Sequence, residues 1–251
     1  MRGLTAPSPG LSAHPIRIVE LRPLGDRAVT VTVGTRIDEP TRVRILSLCA
    51  ALDAQPPEGL VEYVPAFASL TVHYDPARVP ALAGDTTPYE RFGAALRAIL
   101  ESAPLHVIRD PRVVEVGVAY GGMFGPDLED VARHAGVSAD EVVQLHTSGD
   151  YVVHMVGFIA GFAYLGGLPA RIATPRRAVP RTRVPSSSVG IGGSQTGVYP
   201  VDSPGGWNVI GRTPLRMFDA AREPATLLRT GDRVRFVAIT PDEFQAAVTP
   251  R

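Results

Sequence analysis

The sequence predicts an α+β N-terminal domain of the ferredoxin-like type followed by a mainly-β barrel domain. Three observations carry this. The length of 251 residues suits one large domain or two small ones. From Ile16 to about Ala103, strand-like and helix-like patterns alternate. From Gly157 to Pro214 the texture changes: 58 residues hold 11 glycines and 7 prolines. Such a density can mean disorder, but a disordered tract lacks large apolar residues. Here Val, Ile, Phe, Tyr, Leu and Trp run throughout. That is the texture of short strands joined by tight turns, as in a β-barrel.

In the first domain, "IRIVELR" and "RAVTVTV" flank the turn "PLGD" and read as a hairpin. "EPTRVRILSLCAALDA" reads as an amphipathic helix with Val43, Leu46, Leu48 and Leu52 on or near its inner face. "LVEYVP" and "ASLTVHY" read as two further strands. "TPYERFGAALRAILES" reads as a second helix, with Thr87 as N-cap and Pro88 at its first position. Hairpin, helix, two strands and helix make a sandwich with helices on one sheet face.

A connector, "APLHVIRDPR", leads into the second domain. "VVEVGVAYGG" is a strand, and "GPDLEDVARHAG" a helix stopped by Gly136. "SADEVVQLHTS" is a helix with Ser138 and Glu141 in capping-box spacing. "YVVHMVGF" is a strand. After the Gly- and Pro-rich window, "LLRTGDRVRFVAIT" is a turn and strand, and "PDEFQAAV" a short terminal turn or helix. The expected division is a leader at 1–15, a small α/β domain at 16–103 and a barrel domain at 104–251.

Composition excludes several classes of function. The formal net charge is zero, which gives no reason to expect nucleic acid or an anionic membrane. No apolar run is long enough to span a bilayer, and the leader has no apolar signal-peptide core. The lone Cys49 permits no internal disulfide, so a cytoplasmic location is expected. It lies in the first helix and reads as a buried small hydrophobe. All 25 basic residues are arginine. Codon usage in a GC-rich genome accounts for that, but the chemistry follows regardless. No lysine is present to form a Schiff base or reach a phosphate.

The clearest chemical signal is a charge asymmetry. Between Tyr151 and Val201 there is no Asp or Glu, yet Arg171, Arg176, Arg177, Arg181 and Arg183 all fall there. Asp150 and Asp202 bracket the window. A guanidinium offers a planar fork of donors matched to carboxylate or phosphate. Two readings are open for "TPRRAVPRTRVP". Its arginines either bind an anion from a segment stiffened by Pro175, Pro180 and Pro185, or they are loop cations, solvated or paired with acids elsewhere in the fold.

"SVGIGGSQTGVYPVDSPGGWNVIG" imitates a phosphate loop but lacks its parts. There is no Walker lysine, Gln195 stands where a dinucleotide fingerprint needs its third glycine, and the following prolines break any helix. G-x-S-x-G is absent, and the serines at 186, 187, 188 and 194 have no evident His and acid partners. The six histidines show no metal-ligand spacing, so no metal site is expected. His146, at a helix end, is either a cap favoured by the helix dipole or a reacting group. Trp207, the single tryptophan, follows Gly205 and Gly206. It reads as a barrel-core aromatic, while Tyr199 and Gln195 could line a pocket.

The run "GFIAGFAYLGGLPARIATPRRAVPRTRVPSSSVGIGGSQTGVYPVDSPGGWNVIGRTPLRMFD" closely resembles the signature of the KipI/allophanate hydrolase subunit 1 family. "LGDRAVTV" and "YGGMFGPDLEDVARHAGVSADEVVQLHTS" extend the likeness over nearly the whole chain. One departure stands out: Ala160 and Ala163 occupy positions where the family usually has proline.

The resemblance implies a small α/β domain followed by a cyclophilin-like barrel. It also implies two partners, a KipA/allophanate hydrolase subunit 2-type protein and a LamB/YcsF-type third subunit. The implied reaction of that complex is ATP-dependent hydrolysis of 5-oxo-L-proline to L-glutamate, with ATP accompanied by Mg2+. Phosphorylation would activate the lactam oxygen so that water opens the ring, and this chain would be inactive alone. Arg176, Arg181, Gln195 and His146 are then the expected catalytic residues. Thr196, Tyr199, Arg177, Arg183 and Trp207 are the expected substrate- or nucleotide-binding residues. Alternatives within the resemblance are a KipI-like inhibitor of a sensor histidine kinase and an allophanate- or urea-carboxylase-like subunit.

Overall fold

The computed structural model describes residues 18, 20–36, 38–81, 86–105 and 111–248. The expected leader at 1–15 and the centre of the connector, 106–110, lie outside the described residues. The chain separates into two compact units, Met1–Val107 and Ile108–Arg251.

In the first unit, β1 (Glu20–Pro23) and β2 (Ala28–Thr32) form the expected hairpin. Helix α1 (Glu39–Ala54), β3 (Leu60–Pro65), β4 (Ser69–Tyr74) and α2 (Pro88–Ser102) follow. The four strands make one antiparallel sheet in the order β1-β2-β4-β3. The two-residue period of a strand sends Val29, Val31, Leu70 and Val72 to one face. Ile45, Leu48 and Leu52 of α1 and Phe92, Leu96 and Leu100 of α2 close over them in a single core. Val43, Leu48 and Leu52 are buried as expected, Leu46 is half-buried, and Ile45 is buried as well. Thr87 caps α2 in a full capping box with Glu90. A ferredoxin-like sandwich runs βαββαβ. This unit runs ββαββα, so element order alone does not establish that class.

The second unit begins with β5 (Val113–Tyr120), α3 (Leu128–Ala135) and α4 (Ala139–Ser148). Strands β6 (Tyr151–Val156), β7 (Ala163–Gly166), β8 (Arg181–Val184), β9 (Ser188–Gly192), β10 (Gln195–Val198), β11 (Ser203–Gly205), β12 (Asn208–Arg212) and β13 (Arg233–Ala238) follow. Helix α5 (Pro241–Val248) ends the unit. Seven strands close into a barrel in the order β10-β7-β6-β13-β5-β12-β9. Closure leaves no unpaired strand edge, which explains how such short strands persist. Among the described residues only β13 and β5 pair in parallel, from Arg233↔Val113 to Ala238↔Val118. Val116, Val153, Leu165, Ile191, Ile210 and Phe236 fill the core, together with Leu128 and Val131 of α3 and Val142 of α4. Gly136 ends α3 in the left-handed conformation, φ 67°, as expected. Ser138 accepts from the Glu141 N–H at 3.1 Å, but the Glu141 carboxylate turns instead to Arg171 at 2.6 Å.

Strands β8 and β11 pair outside the barrel as a two-stranded ribbon. A separate small core of Phe162, Val184, Tyr199, Trp207 and Val209 joins β8 to the barrel strands β10 and β12 and their flanking loops.

The Phe92 ring is 1% exposed and stacks on Tyr74 with centroids 4.4 Å apart. Phe92→Ala is expected to lower stability by about 3–5 kcal/mol, read as the shift in a urea unfolding curve followed by circular dichroism. A change below about 1 kcal/mol would place this ring outside the core that holds the first unit together.

Candidate functional site

The arginine-rich segment is held at defined points. Asn208 donates from Nδ2 to the Pro175 carbonyl at 2.9 Å and to the Ile191 carbonyl at 3.2 Å. The Arg177 N–H donates to the Gly206 carbonyl at 2.7 Å. Asp127, in the N-cap position of α3, supplies the strongest tie. Its carboxylate accepts from Arg177 Nη1, from both terminal nitrogens of Arg181 and from the Val209 N–H, each at 2.7 Å. Its own N–H donates to the Val209 carbonyl at 2.9 Å. Asp127 is 2% exposed. Burying a carboxylate is tolerable only with this many charged and polar donors. The hydrogen bond to Asp127 also raises the Arg181 pKa further, so this guanidinium stays charged.

Four of the five arginines are therefore answered by acids. Arg177 and Arg181 meet Asp127, Arg171 meets Glu141, and Arg183 meets Asp202 with Nε at 2.8 Å. Asp202 is further held by the Ser186 N–H at 2.7 Å. Arg176 has no hydrogen bond or ion pair among the described residues. It lies between the two anchored positions 175 and 177, at the edge of a cleft of about 120 Å3.

That cleft is aromatic. Phe158, Phe162, Tyr164, Tyr199 and Trp207 line it with Arg176 and the backbone of Gly205 and Gly206. Phe162 is the hub, with ring centroids 4.8 Å from Tyr164 and 5.4 Å from both Tyr199 and Trp207. Phe158 adds an exposed edge with φ at +72°, a conformation rare for an aromatic residue. The glycines of the apparent phosphate loop have another purpose here. A Cβ on Gly192 would lie 2.4 Å from the Trp207 indole, and one on Gly205 would lie 2.4 Å from the Tyr199 hydroxyl. These positions are glycine because the aromatic rings occupy that space.

Burial raises the Tyr164 and Tyr199 pKa values, with nearby Arg176 opposing the shift in both. Both phenols remain protonated donors at neutral pH.

Of the residues expected from sequence, Arg176, Tyr199 and Trp207 converge in this cleft. Arg177, Arg181 and Arg183 are engaged by acids. Gln195 lies half-buried on β10 and does not line the cleft. His146 and Thr196 go to the barrel interior, each 0% exposed. There the Tyr120 hydroxyl donates to His146 Nδ1 at 2.7 Å, and His146 Nε2 donates to Thr196 Oγ1 at 3.0 Å. The Thr196 hydroxyl donates onward to the Gly190 carbonyl at 3.0 Å. Since Thr196 has a single hydrogen, the imidazole proton belongs on Nε2. The chain of bonds is closed within the core, and His146 is neither a helix cap nor part of the cleft. Burial pushes its pKa down to about 3.

Sequence reasoning does not single out Asp127, Phe158, Phe162 or Tyr164. Asp127 reads there as an ordinary acidic helix start. The aromatic run "GFIAGFAYL" is the available signal for the other three. Cys49, expected as a buried small hydrophobe, is half-buried against the core of the first unit, and burial pushes its thiol up to about 12. No cluster of His, Cys, Asp or Glu able to hold a metal occurs among the described residues. Nor is any described helix long and apolar enough to cross a membrane.

The second unit is thus a closed barrel bearing a small aromatic cleft with Arg176 at its edge. Residues 19–228 match the family described as carboxyltransferase domain, subdomain C and D, and the chain belongs to that family. It is 43% identical over 229 residues to the B subunit of the 5-oxoprolinase of Bacillus subtilis (strain 168), covering 90% of this chain and 95% of that protein. Among solved structures it is similar to TTHA0988, with a TM-score of 0.73 and 37% identity over 85% of this chain and 40% of that one. The Kluyveromyces lactis urea amidolyase shares the fold, with a TM-score of 0.70 at 20% identity over 90% of this chain and 15% of that one. This chain thus spans two fifths or less of those two solved chains.

Asp127→Ala leaves Arg181 without its acid, Arg177 with only a long contact to Asp130 at 3.8 Å, and the Val209 N–H without its side-chain acceptor. Both arginine side chains are about a third exposed, so the loss is expected near the lower end for a broken buried pair, about 3 kcal/mol by urea denaturation. Hydrogen exchange across 176–184 should rise in the same variant.

Acid should act through His146. Its pKa is lower in the folded state than the ordinary 6.5, so the unfolded state takes up its proton first. This contribution to stability is complete above pH 6.5 and is lost as pH falls toward about 3. Between pH 7.5 and 5.5, where carboxylates scarcely titrate, it amounts to about 1.4 kcal/mol. Unfolding curves at the two pH values check it, with His146→Gln expected to remove the difference.

Proposed function

We propose that this chain is a subunit of a 5-oxoprolinase-type complex that hydrolyses 5-oxo-L-proline to L-glutamate with ATP. Its partners on this reading are a KipA/allophanate hydrolase subunit 2-type protein and a LamB/YcsF-type third subunit, all cytoplasmic. The barrel is read as cyclophilin-like. The first unit is read as a ferredoxin-like sandwich entered at its hairpin, because the sheet order β1-β2-β4-β3 is what such a permutation produces. The likeness to the Bacillus subtilis 5-oxoprolinase component, over 95% of that protein, supports the assignment.

The observation that carries the chemistry is Arg176, a cation with no acid partner among the described residues, at the edge of a cleft walled by aromatic rings. Within this chain its task is to hold the substrate carboxylate, while the rings pack the lactam and keep water from competing. Arg181, expected as a catalytic residue, and Arg177, expected as a binding residue, are read instead as holding this segment through Asp127.

ATP with its Mg2+ is read as a cofactor of the assembled complex, and this chain is read as inactive alone. The Arg176 cleft, of about 120 Å3, is below the range of nucleotide-sized pockets.

The family description favours one second reading, carboxyl transfer on a urea-like substrate. One assay separates the two. The co-expressed complex is supplied with ATP and either 5-oxo-L-proline or urea with bicarbonate, and glutamate and carboxylated urea are measured. Glutamate release is expected. Arg176→Ala should lower it at least about a hundredfold while the subunits still co-elute, given the usual worth of a charge-assisted contact at a reacting substrate. Unchanged turnover in that variant, or product from urea alone, would sink the assignment.

A further inference from the structure

We infer that the second unit carries a second ligand site, apart from the Arg176 cleft, which takes a monocarboxylic α-amino acid in its zwitterionic form. The site is a cavity of about 460 Å3 lined by Ser186, Asp202, Pro214, Arg216, Phe218 and Asp219 among others. That volume lies in the range of small-molecule pockets. The cavity and the cleft share no lining residue. The ligand class also differs from the proposed reaction, since 5-oxo-L-proline has no ammonium group and L-glutamate carries a second carboxylate.

Three separate stretches of the chain meet at this cavity: 186–187, 200–202 and 214–220. Hydrogen bonds within the unit fix them in advance. The Ser187 N–H donates to the Tyr199 carbonyl at 2.6 Å, its Oγ donates to the Leu215 carbonyl at 3.1 Å, and the Thr213 N–H donates to the Ser187 carbonyl at 2.9 Å. These bonds hold Ser187 at φ 64°, in the left-handed region that residues with a side chain seldom adopt. Such conformations persist where the surroundings over-determine them, and they cluster at ligand sites. Arg222 shapes the third stretch from within. Its guanidinium donates to the carbonyls of Pro224 at 3.2 Å, Arg216 at 3.3 Å, Met217 at 3.2 Å and Ala225 at 3.0 Å. The Asp219 N–H adds a bond to the Ala225 carbonyl at 2.8 Å. Walls already set in this way lose little entropy on binding.

Charge decides the class of ligand. Asp202 and Asp219 are both held in the ionised form, chiefly by the backbone N–H groups of Ser186 and Ala221. Asp202 is already engaged by Ser186 and Arg183. Asp219 is the freer acceptor. The Ala221 N–H at 3.0 Å and Arg216 Nη1 at 3.3 Å leave about half of a carboxylate's acceptor positions open. An ammonium group fits there. Arg216 supplies the opposite charge, and its contact with Asp219 is long enough to leave the planar fork available to a carboxylate. Two carboxylates against one guanidinium disfavour a phosphate or a dicarboxylate. Pro214 and Phe218 add an apolar wall suited to an apolar side chain. One ammonium, one carboxylate and one apolar side chain together describe the ligand.

The test uses the full chain alone, with calorimetry for affinity and amide NMR shifts for the place of binding. The probes are L-leucine, isocaproate, which lacks the ammonium, isopentylamine, which lacks the carboxylate, and L-glutamate. L-Leucine should bind most tightly. Isocaproate and isopentylamine should each bind about tenfold or more weakly, the usual worth of one charge-assisted contact. L-Glutamate should also bind more weakly, because its second carboxylate meets no second guanidinium. Arg216→Gln should weaken L-leucine about tenfold and leave isopentylamine unchanged. Asp219→Asn should weaken L-leucine by a similar factor and leave isocaproate unchanged. Arg216 is exposed, and an Asn at 219 keeps an oxygen for the Ala221 N–H, so both variants should hold the parent melting curve. Shifts should gather at 186–187, 200–202 and 214–220, and Arg176→Gln should bind L-leucine as the parent does.

Binding of isocaproate or isopentylamine as tight as that of L-leucine overturns the inference. So does an unchanged L-leucine affinity in folded Arg216→Gln and Asp219→Asn variants, or no response to any of the four probes. Loss of L-leucine binding in Arg176→Gln would put the ligand in the cleft and overturn it too. The proposed function is judged separately. A complex that turns over with a chain that binds no amino acid removes only this inference. A chain that binds as stated in a complex without turnover removes only the enzymatic reading.

Discussion

The buried carboxylate of Asp127 is the constraint on which the site depends. It stands at the start of α3, yet its side chain faces away from the ordinary capping role and gathers Arg177, Arg181 and the backbone of β12. A single charge thereby ties a helix, a barrel strand and an external ribbon together. Removing a carboxylate from water is costly, and here four donors offset that cost. The same tie determines which arginine is left over. With positions 177 and 181 engaged and Pro175 held by Asn208, Arg176 alone keeps its charge directed at the cleft.

The second constraint is volume. Five aromatic side chains converge on a space of about 120 Å3 and pack edge to face on Phe162. Their rings reach into places where other residues would carry a Cβ. The strand backbone at Gly192 and the ribbon backbone at Gly205 yield that space. Glycine density that suggests a phosphate loop is thus a consequence of aromatic packing. The conformation of Phe158, at positive φ on the exposed edge of the cleft, belongs to the same region. Strain of this kind is found where a side chain must be aimed rather than merely buried.

Polar groups inside the barrel follow a different rule. Tyr120, His146 and Thr196 form a chain in which every donor finds an acceptor. Low dielectric strengthens such a chain and penalises any unpaired member. A neutral, fully bonded imidazole therefore serves packing, while the exposed Arg176 remains available for chemistry.

Local signals in the sequence determined the elements. Thr87 before Pro88, Ser138 three residues before Glu141 and Gly136 after "ARHA" each mark a helix end by chemistry confined to one turn. Alternation in "AVTVT" and "SLTVHY" marks strands for the same reason, and the run of 11 glycines and 7 prolines marks the barrel texture. The acid-free window with five arginines points to the right segment. It does not separate Arg176 from its neighbours, because the deciding partners are far off in the chain. Asp127 precedes Arg177 by 50 residues and Arg181 by 54. His146 reads as reactive in the sequence because only closure of the barrel supplies Tyr120 and Thr196 as its partners. Sequence by itself thus determined the elements, the barrel texture and the charge asymmetry, which arise from interactions within a turn or a strand. Tertiary structure alone decided which cation stays unpaired and what surrounds it, since long-range burial and pairing set those terms.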